Sequence, residues 1–182
     1  MLVERIMGVL KLDANTFEEI EADQSATTQA AIIVAIVALA SGLGVAIGSD
    51  SFIGGFLGTI VWAFVGWVIW AAITYYIGTS LFNGQADMGE MLRVLGFAQI
   101  PRVLTILSFI NCLGPLVALV AGIWSLVAGV IAVRQGLDID TGKAIITVII
   151  GWIVVLVGTF IIGIFFGGAA LGIGALTGGL GG

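Results

Sequence analysis

Apolar residues in this chain do not alternate with polar ones; they run together in long blocks. A bilayer core takes about 20 apolar residues in helical form. Residues 28–48 and 52–82 are uncharged throughout, and 115–134 and 143–166 carry charge only at one end. Each predicts a membrane-crossing helix. Residues 89–110 form a weaker block, interrupted by Glu90, Arg93, Gln99, Pro101 and Arg102, and predict a fifth. The block 52–82 would be about 46 Å long at 1.5 Å per residue, so it must tilt or protrude.

Punctuation agrees with these limits. Asp50-Ser51 reads as an N-cap and Asn83-Gly84 as a stop. Asp87-Met88-Gly89-Glu90 has the spacing of a capping box. Gly114-Pro115 puts proline in a first turn, Gly136 is a C-cap, and Asp138–Thr141 leads into the last block. Three regions result: an N-terminal segment 1–27, a five-span domain 28–166, and a glycine-rich tail 167–182. The tail is expected to be poorly ordered or to lie along apolar surface. In the N-terminal segment, Leu2, Val3, Ile6, Met7, Val9 and Leu10 suggest a short amphipathic helix lying on the membrane. Phe17 and Ile20 mark one side of a second. Lys11 and the acids after it break the pattern of a signal peptide.

Composition narrows the class. Of 182 residues, 60% are apolar and 9% charged, far too few charges to cover a water-facing surface. There is no His and one Cys, Cys112, so imidazole acid–base chemistry, an internal disulfide and a Cys/His metal site are excluded. No cofactor or metal site is expected. Six acids stand against Arg5 and Lys11 in residues 1–23, which argues against nucleic acid and against an electrostatic anchor on anionic lipid.

Basic residues also predict orientation. Arg5, Lys11, Arg93, Arg134 and Lys143 fall on one side of a five-span chain, and none falls on the other. The positive-inside rule then puts the N-terminus in the cytoplasm and the C-terminus outside, in the inner, or plasma, membrane.

Arg102 is the sixth basic residue and fits no loop. It sits nine residues from both Arg93 and Asn111, about 13 Å from either end of the helix. Its insertion costs about 2.5–3.5 kcal/mol. Pro101 removes a backbone donor and crowds the carbonyl of Phe97, which predicts a kink beside Gln99. No acid of this chain lies at that depth in a span, so Arg102 needs a freed carbonyl, Ser125, a Trp face such as Trp62 or Trp124, a lipid phosphate or an acid on another subunit. Gln99, Pro101, Arg102, Trp124 and Ser125 are therefore the candidate lipid- or partner-contact residues. The competing structural reading is a kink with a snorkelling Arg.

Other patterns carry no chemistry. Asp140-Thr141-Gly142 has the letters of an aspartic-protease signature but no second copy, and a helix cap explains it. A calcium loop from Asp138 would need Glu where Ile149 stands. Glycine pairs at 44/48, 54/58 and 163/167 are spaced for close helix approach, read as internal packing ahead of a dimer face.

The stretch Arg93-Val94-Leu95-Gly96-Phe97-Ala98-Gln99-Ile100-Pro101, then Ile123-Trp124-Ser125-Leu126-Val127, Val133-Arg134-Gln135-Gly136 and Thr141-Gly142-Lys143-Ala144-Ile145, follows Leu12-Asp13-Ala14-Asn15-Thr16-Phe17-Glu18-Glu19-Ile20. This order resembles the prokaryotic branch of the Yip family, the Ypt/Rab-interacting membrane proteins. The resemblance implies an all-α, five-span bundle with a cytoplasmic N-terminus. Eukaryotic members act in vesicle traffic and contact prenylated small GTPases; their Asp-Leu-Tyr-Gly-Pro motif ahead of span one is replaced here by Ala22-Asp23-Gln24-Ser25-Ala26. The expectation is a non-enzymatic multi-pass protein whose partners are membrane lipids, other integral membrane subunits or itself. It would organise membrane or serve as an accessory subunit. A small transporter or channel with a polar cavity around Arg102, lined also by Gln99, Thr105 and Ser125, is the alternative.

Overall fold

A computed structural model describes residues 2–46, 52–109 and 113–178; the expected cap at Asp50-Ser51, the Asn111-Cys112 loop and residues 179–182 lie outside them. The described residues are helical, without strands. They form α1 (Leu2–Leu10), α2 (Ala14–Ala22), α3 (Ala26–Ala46), α4 (Phe52–Phe82), α5 (Met88–Phe97), a 3-10 helix (Ile100–Phe109), α6 (Gly114–Gly136) and α7 (Thr141–Gly178). Among the described residues four stretches are long and apolar enough to cross a membrane: Ala26–Leu43, Phe56–Phe82, Gly114–Gly136 and Thr141–Gly158.

Most of the caps form as the residues require. The Asp13 carboxylate accepts from the Asn15 N–H and the Thr16 hydroxyl, opening α2. Asp87 and Glu90 close a reciprocal capping box at 2.7 and 2.6 Å. Asn83 takes the left-handed conformation that ends α4 (φ 54°), and the Gly84 N–H returns to the Gly78 carbonyl. Pro115 lies in the first turn of α6. Asp140 caps α7 through the Lys143 N–H. At the end of α6 the left-handed residue is Asp138 (φ 52°), two positions beyond the glycine expected to cap it.

Two expectations are corrected. The third block is not one α-helix. It is ten residues of α5, a break at Ala98-Gln99, and ten residues of 3-10 helix. Proline has no N–H to give the Phe97 carbonyl, so the ladder cannot cross position 101. The chain then winds tighter, with the Arg102 N–H on the Gln99 carbonyl at 2.9 Å. The N-terminal segment is not laid flat on a surface: Val9, Phe17 and Ile20 are fully buried, in one core with Met91, Val94, Phe97, Val133 and Leu137. α1 and α2 fold back on each other at Leu12 (φ 60°), where Gly8 lets the Thr16 side chain come close.

The chain divides into Met1–Val148 and Ile149–Gly182. Within the first unit the contacts fix the direction of the helices. Thr27, Ala30 and Ser41 of α3 meet Arg93, Gly96 and Thr105 in the same order, so α3 and the α5/3-10 segment run parallel. Gly42 faces Phe56, so α4 returns antiparallel to α3. Gly78 faces Leu137, and Gly136 faces Val94 and Met91. The starts of α3, α5 and α7, the ends of α4 and α6, and the α1–α2 hairpin are thereby gathered at one end. Every charged residue belongs to the segments of this polar end except Arg102 and Asp50, the latter outside the described residues.

Glycine serves close approach at that end. A methyl on Gly96 would stand 2.7 Å from the Ala30 Cβ, and one on Gly136 would stand 2.9 Å from a Val94 methyl. Gly58, one of the expected packing glycines, has open space instead. The rest of the surface is apolar. α4 exposes Ile53, Leu57, Val61, Trp62 and Ile69, and α6 exposes Leu116, Leu119 and Ile123. Such continuous apolar exposure is a lipid-facing surface. The second unit continues α7, exposing Trp152, Ile153, Val154, Leu156 and Phe160 on all sides of the helix. The helix runs on to Gly178, past the fifth block and into the glycine-rich segment, which contains no proline to stop it.

Candidate contact site at the broken helix

The break places the candidate residues on different sides of the bundle wall. Pro101 is fully buried, as is Phe97 just before it, so the proline ring is part of the core. Gln99 is half-buried and Arg102 is exposed. In a 3-10 helix residues i and i+3 eclipse. Gln99, Arg102 and Thr105 therefore share one face, where an α-helix would spread them. The Thr105 hydroxyl lies 2.6 Å from the Arg102 carbonyl and 3.0 Å from the Ser41 hydroxyl of α3. These four residues make a polar strip where the 3-10 helix meets α3. Exposed Leu104, Ile106 and Leu107 lie beside it.

Among the described residues no side chain pairs with the Arg102 guanidinium. Ser125 and Trp124, on α6, are half-buried. The Ser125 Oγ is shielded from solvent yet makes no hydrogen bond, so the structure does not join it to Arg102. Trp62 is 69% exposed and is not joined to Arg102 either. The five candidates thus separate into a buried proline, a polar strip with an unpaired cation, and two residues of α6 outside the strip.

A second polar constellation was missed by sequence reasoning. Arg5, counted there only as a loop charge, is buried at 8% exposure. Its guanidinium donates to Glu19 at 3.0 Å, Asp23 at 2.7 Å and Gln29 at 3.1 Å, tying α1 to α2 and α3. Burial opposes its charge, but the Asp23 and Glu19 bonds outweigh that and raise its pKa. Asp23, bonded by Ser25 and then Arg5, is held down at about 2. A signal existed: Arg5 and Glu19 are equidistant from the turn at Leu12, and Asp23 is one helical turn beyond Glu19.

Arg93, also counted as a loop charge, is buried too. It donates twice to the Glu21 carbonyl, at 2.9 and 2.7 Å, and reaches the Thr27 hydroxyl at 3.5 Å. The Glu21 carboxyl sits at the same seam. Burial, then Asp138, Glu90 and Glu18, push its pKa up to about 7 against the opposing pull of Arg93. These arginines brace the polar end; neither is free for a ligand. No group of three or more Asp, Glu, Cys or His side chains is placed to hold a metal among the described residues.

The family model described as the Yip1 domain matches residues 7–162. No curated protein and no solved structure matches the chain. With a match running from α1 into α7, over a helical array with four apolar span candidates, the chain belongs to the Yip1 domain family and is a multi-pass membrane protein.

Proposed function

We propose that this Yip1-domain protein is a non-enzymatic, five-span protein of the cell membrane that acts through contacts with lipids or other membrane proteins, organising the bilayer or serving as an accessory subunit. The α5/3-10 segment is the fifth crossing. Ten α-helical residues and ten 3-10 residues rise about 35 Å together, enough for a hydrocarbon core of about 30 Å. Its parallel course beside α3 supports that reading. With five crossings and all loop Lys and Arg at the polar end, the N-terminus is cytoplasmic and the C-terminus outside.

One observation carries the contact role. The intramembrane cation is on the outer surface, among exposed Leu104, Ile106 and Leu107, rather than enclosed with Ser125. A transport cavity would need the reverse. The test is a single cysteine at position 102 in a Cys112→Ser background. We expect a lipid-soluble maleimide to label it and a charged thiosulfonate to react far more slowly than at exposed Gln85. Fast reaction with the charged reagent would place position 102 in water and replace this reading with the transporter.

A further inference from the structure

We infer that the strip Gln99–Arg102–Thr105–Ser41 is a binding site for the phosphate of an anionic membrane phospholipid. The inference deepens the contact role and rests on it. It starts from an unpaired charge. An arginine facing hydrocarbon requires a counter-charge or a route to the headgroups, and no described side chain provides one. A second copy of this chain offers no acid at that depth among the described residues, since all of those acids belong to the polar-end segments. What the surrounding bilayer itself offers is lipid phosphate.

The geometry suits that ligand. Arg102 lies about 15 Å along the segment from Arg93, which is fixed at the polar end. Its long stem lets the guanidinium climb toward the headgroup layer. The distance to be climbed is short, because α1, part of the polar end, packs against the 3-10 helix that carries Arg102. The planar guanidinium takes phosphate through two parallel hydrogen bonds. The Gln99 amide is one 3-10 turn away on the same face, with a donor for a further phosphate or glycerol oxygen. The Thr105 and Ser41 hydroxyls, bonded to each other, hold the 3-10 helix against α3 below it. Exposed Leu104 and Leu107 offer apolar surface to the acyl chains.

The test is native mass spectrometry of the full chain from nanodiscs of phosphatidylglycerol and phosphatidylcholine, with inorganic phosphate in solution as a separate arm. We expect one phosphatidylglycerol retained per chain in preference to phosphatidylcholine. Arg102→Gln should lower that retention about tenfold or more, and Arg102→Lys by less, since lysine pairs as a point charge. Arg134→Gln, at an exposed polar-end cation, should leave it unchanged. Arg102→Lys keeps the test valid if Arg102→Gln unfolds. Equal retention by wild type and a folded Arg102→Gln overturns the site. So does release of the lipid by inorganic phosphate alone, or a stoichiometric protein partner in its place. If the cysteine at 102 is lipid-facing while retention is unchanged, the phosphate site fails and the contact role stands.

Discussion

Gly96→Ala tests the reading of the parallel seam between α3 and α5 at its tightest point. The added methyl would stand 2.7 Å from the Ala30 Cβ, and 3.3 Å from both the Ala30 Cα and the Trp67 Cζ2. Carbon pairs are comfortable at about 3.5–4.0 Å. Neither neighbour can swing aside. The Ala30 methyl is rigidly part of its backbone, and the Trp67 indole is held by its N–H on the Leu92 carbonyl at 3.0 Å. Relief therefore requires the two helices to separate, an overpacking cost of about 1–3 kcal/mol. Against this, alanine gains about 1 kcal/mol over glycine in a helix. A 2.7 Å approach between two fixed carbons puts the cost in the upper part of that range, about 2–3 kcal/mol, so the first effect wins and the variant should lose about 1–2 kcal/mol. Gly122→Ala on α6 is the control, since nothing lies within 4 Å of its added methyl. It should be neutral or gain up to about 1 kcal/mol. Unfolding in mixed micelles by increasing dodecyl sulfate, followed by helicity and tryptophan emission, reads both. If Gly96→Ala matches wild type, or Gly122→Ala loses as much, the close approach of α3 and α5 is refuted.

Two more predictions concern the polar end. Arg93→Met removes both hydrogen bonds to the Glu21 carbonyl and should cost about 2–3 kcal/mol, with faster proteolysis at the turns around Lys11 and Gln24; unchanged cleavage would show that the arginine does not hold α2 down. Folding raises the Glu21 pKa from 4.5 to about 7, so stability is undiminished below pH 4.5 and falls as the pH climbs through 7. Glu21→Gln should therefore raise the melting temperature at pH 8 and leave it unaltered at pH 4.5, and a shift of equal size at both would refute the burial of an ionisable group at this seam.

What could be read from residues alone was whatever local chemistry decides. Blocks of apolar sequence located the four candidate spans, and Asp87, Asn83, Pro115 and Asp140 located most of the helix ends, because capping depends on residues within one turn. Pro101 announced a disruption but not its form. A missing N–H explains why α5 stops, whereas a 3-10 winding continued to Phe109 answers to what the segment packs against. The α1–α2 hairpin was harder still. Phe17 and Ile20 look like the apolar side of a surface helix, and only the tertiary fold reveals that Met91, Val94 and Leu137 cover that side. Arg102 stands out in the sequence as a charge far from any loop, but the eclipse that aligns it with Gln99 and Thr105 follows from the 3-10 geometry.

The burial of Arg5 and Arg93 bears on the argument from charge to orientation. Orientation is set while the chain is being inserted, when neither arginine yet has its folded partners. At that stage both are flanking cations, and acids such as Glu19 and Asp23 contribute little to the choice. Folding then reassigns them: Arg5 becomes the link between α1, α2 and α3, and Arg93 the link between α5 and α2. Under the proposed orientation, the same charges would first keep the polar end on the cytoplasmic side and then bind its helices together. Arg102 has neither use. Its depth takes it out of the flanking count, and none of the described side chains pairs with it after folding. That leaves the membrane around the bundle, rather than the bundle itself, as the place where its counter-charge is to be sought.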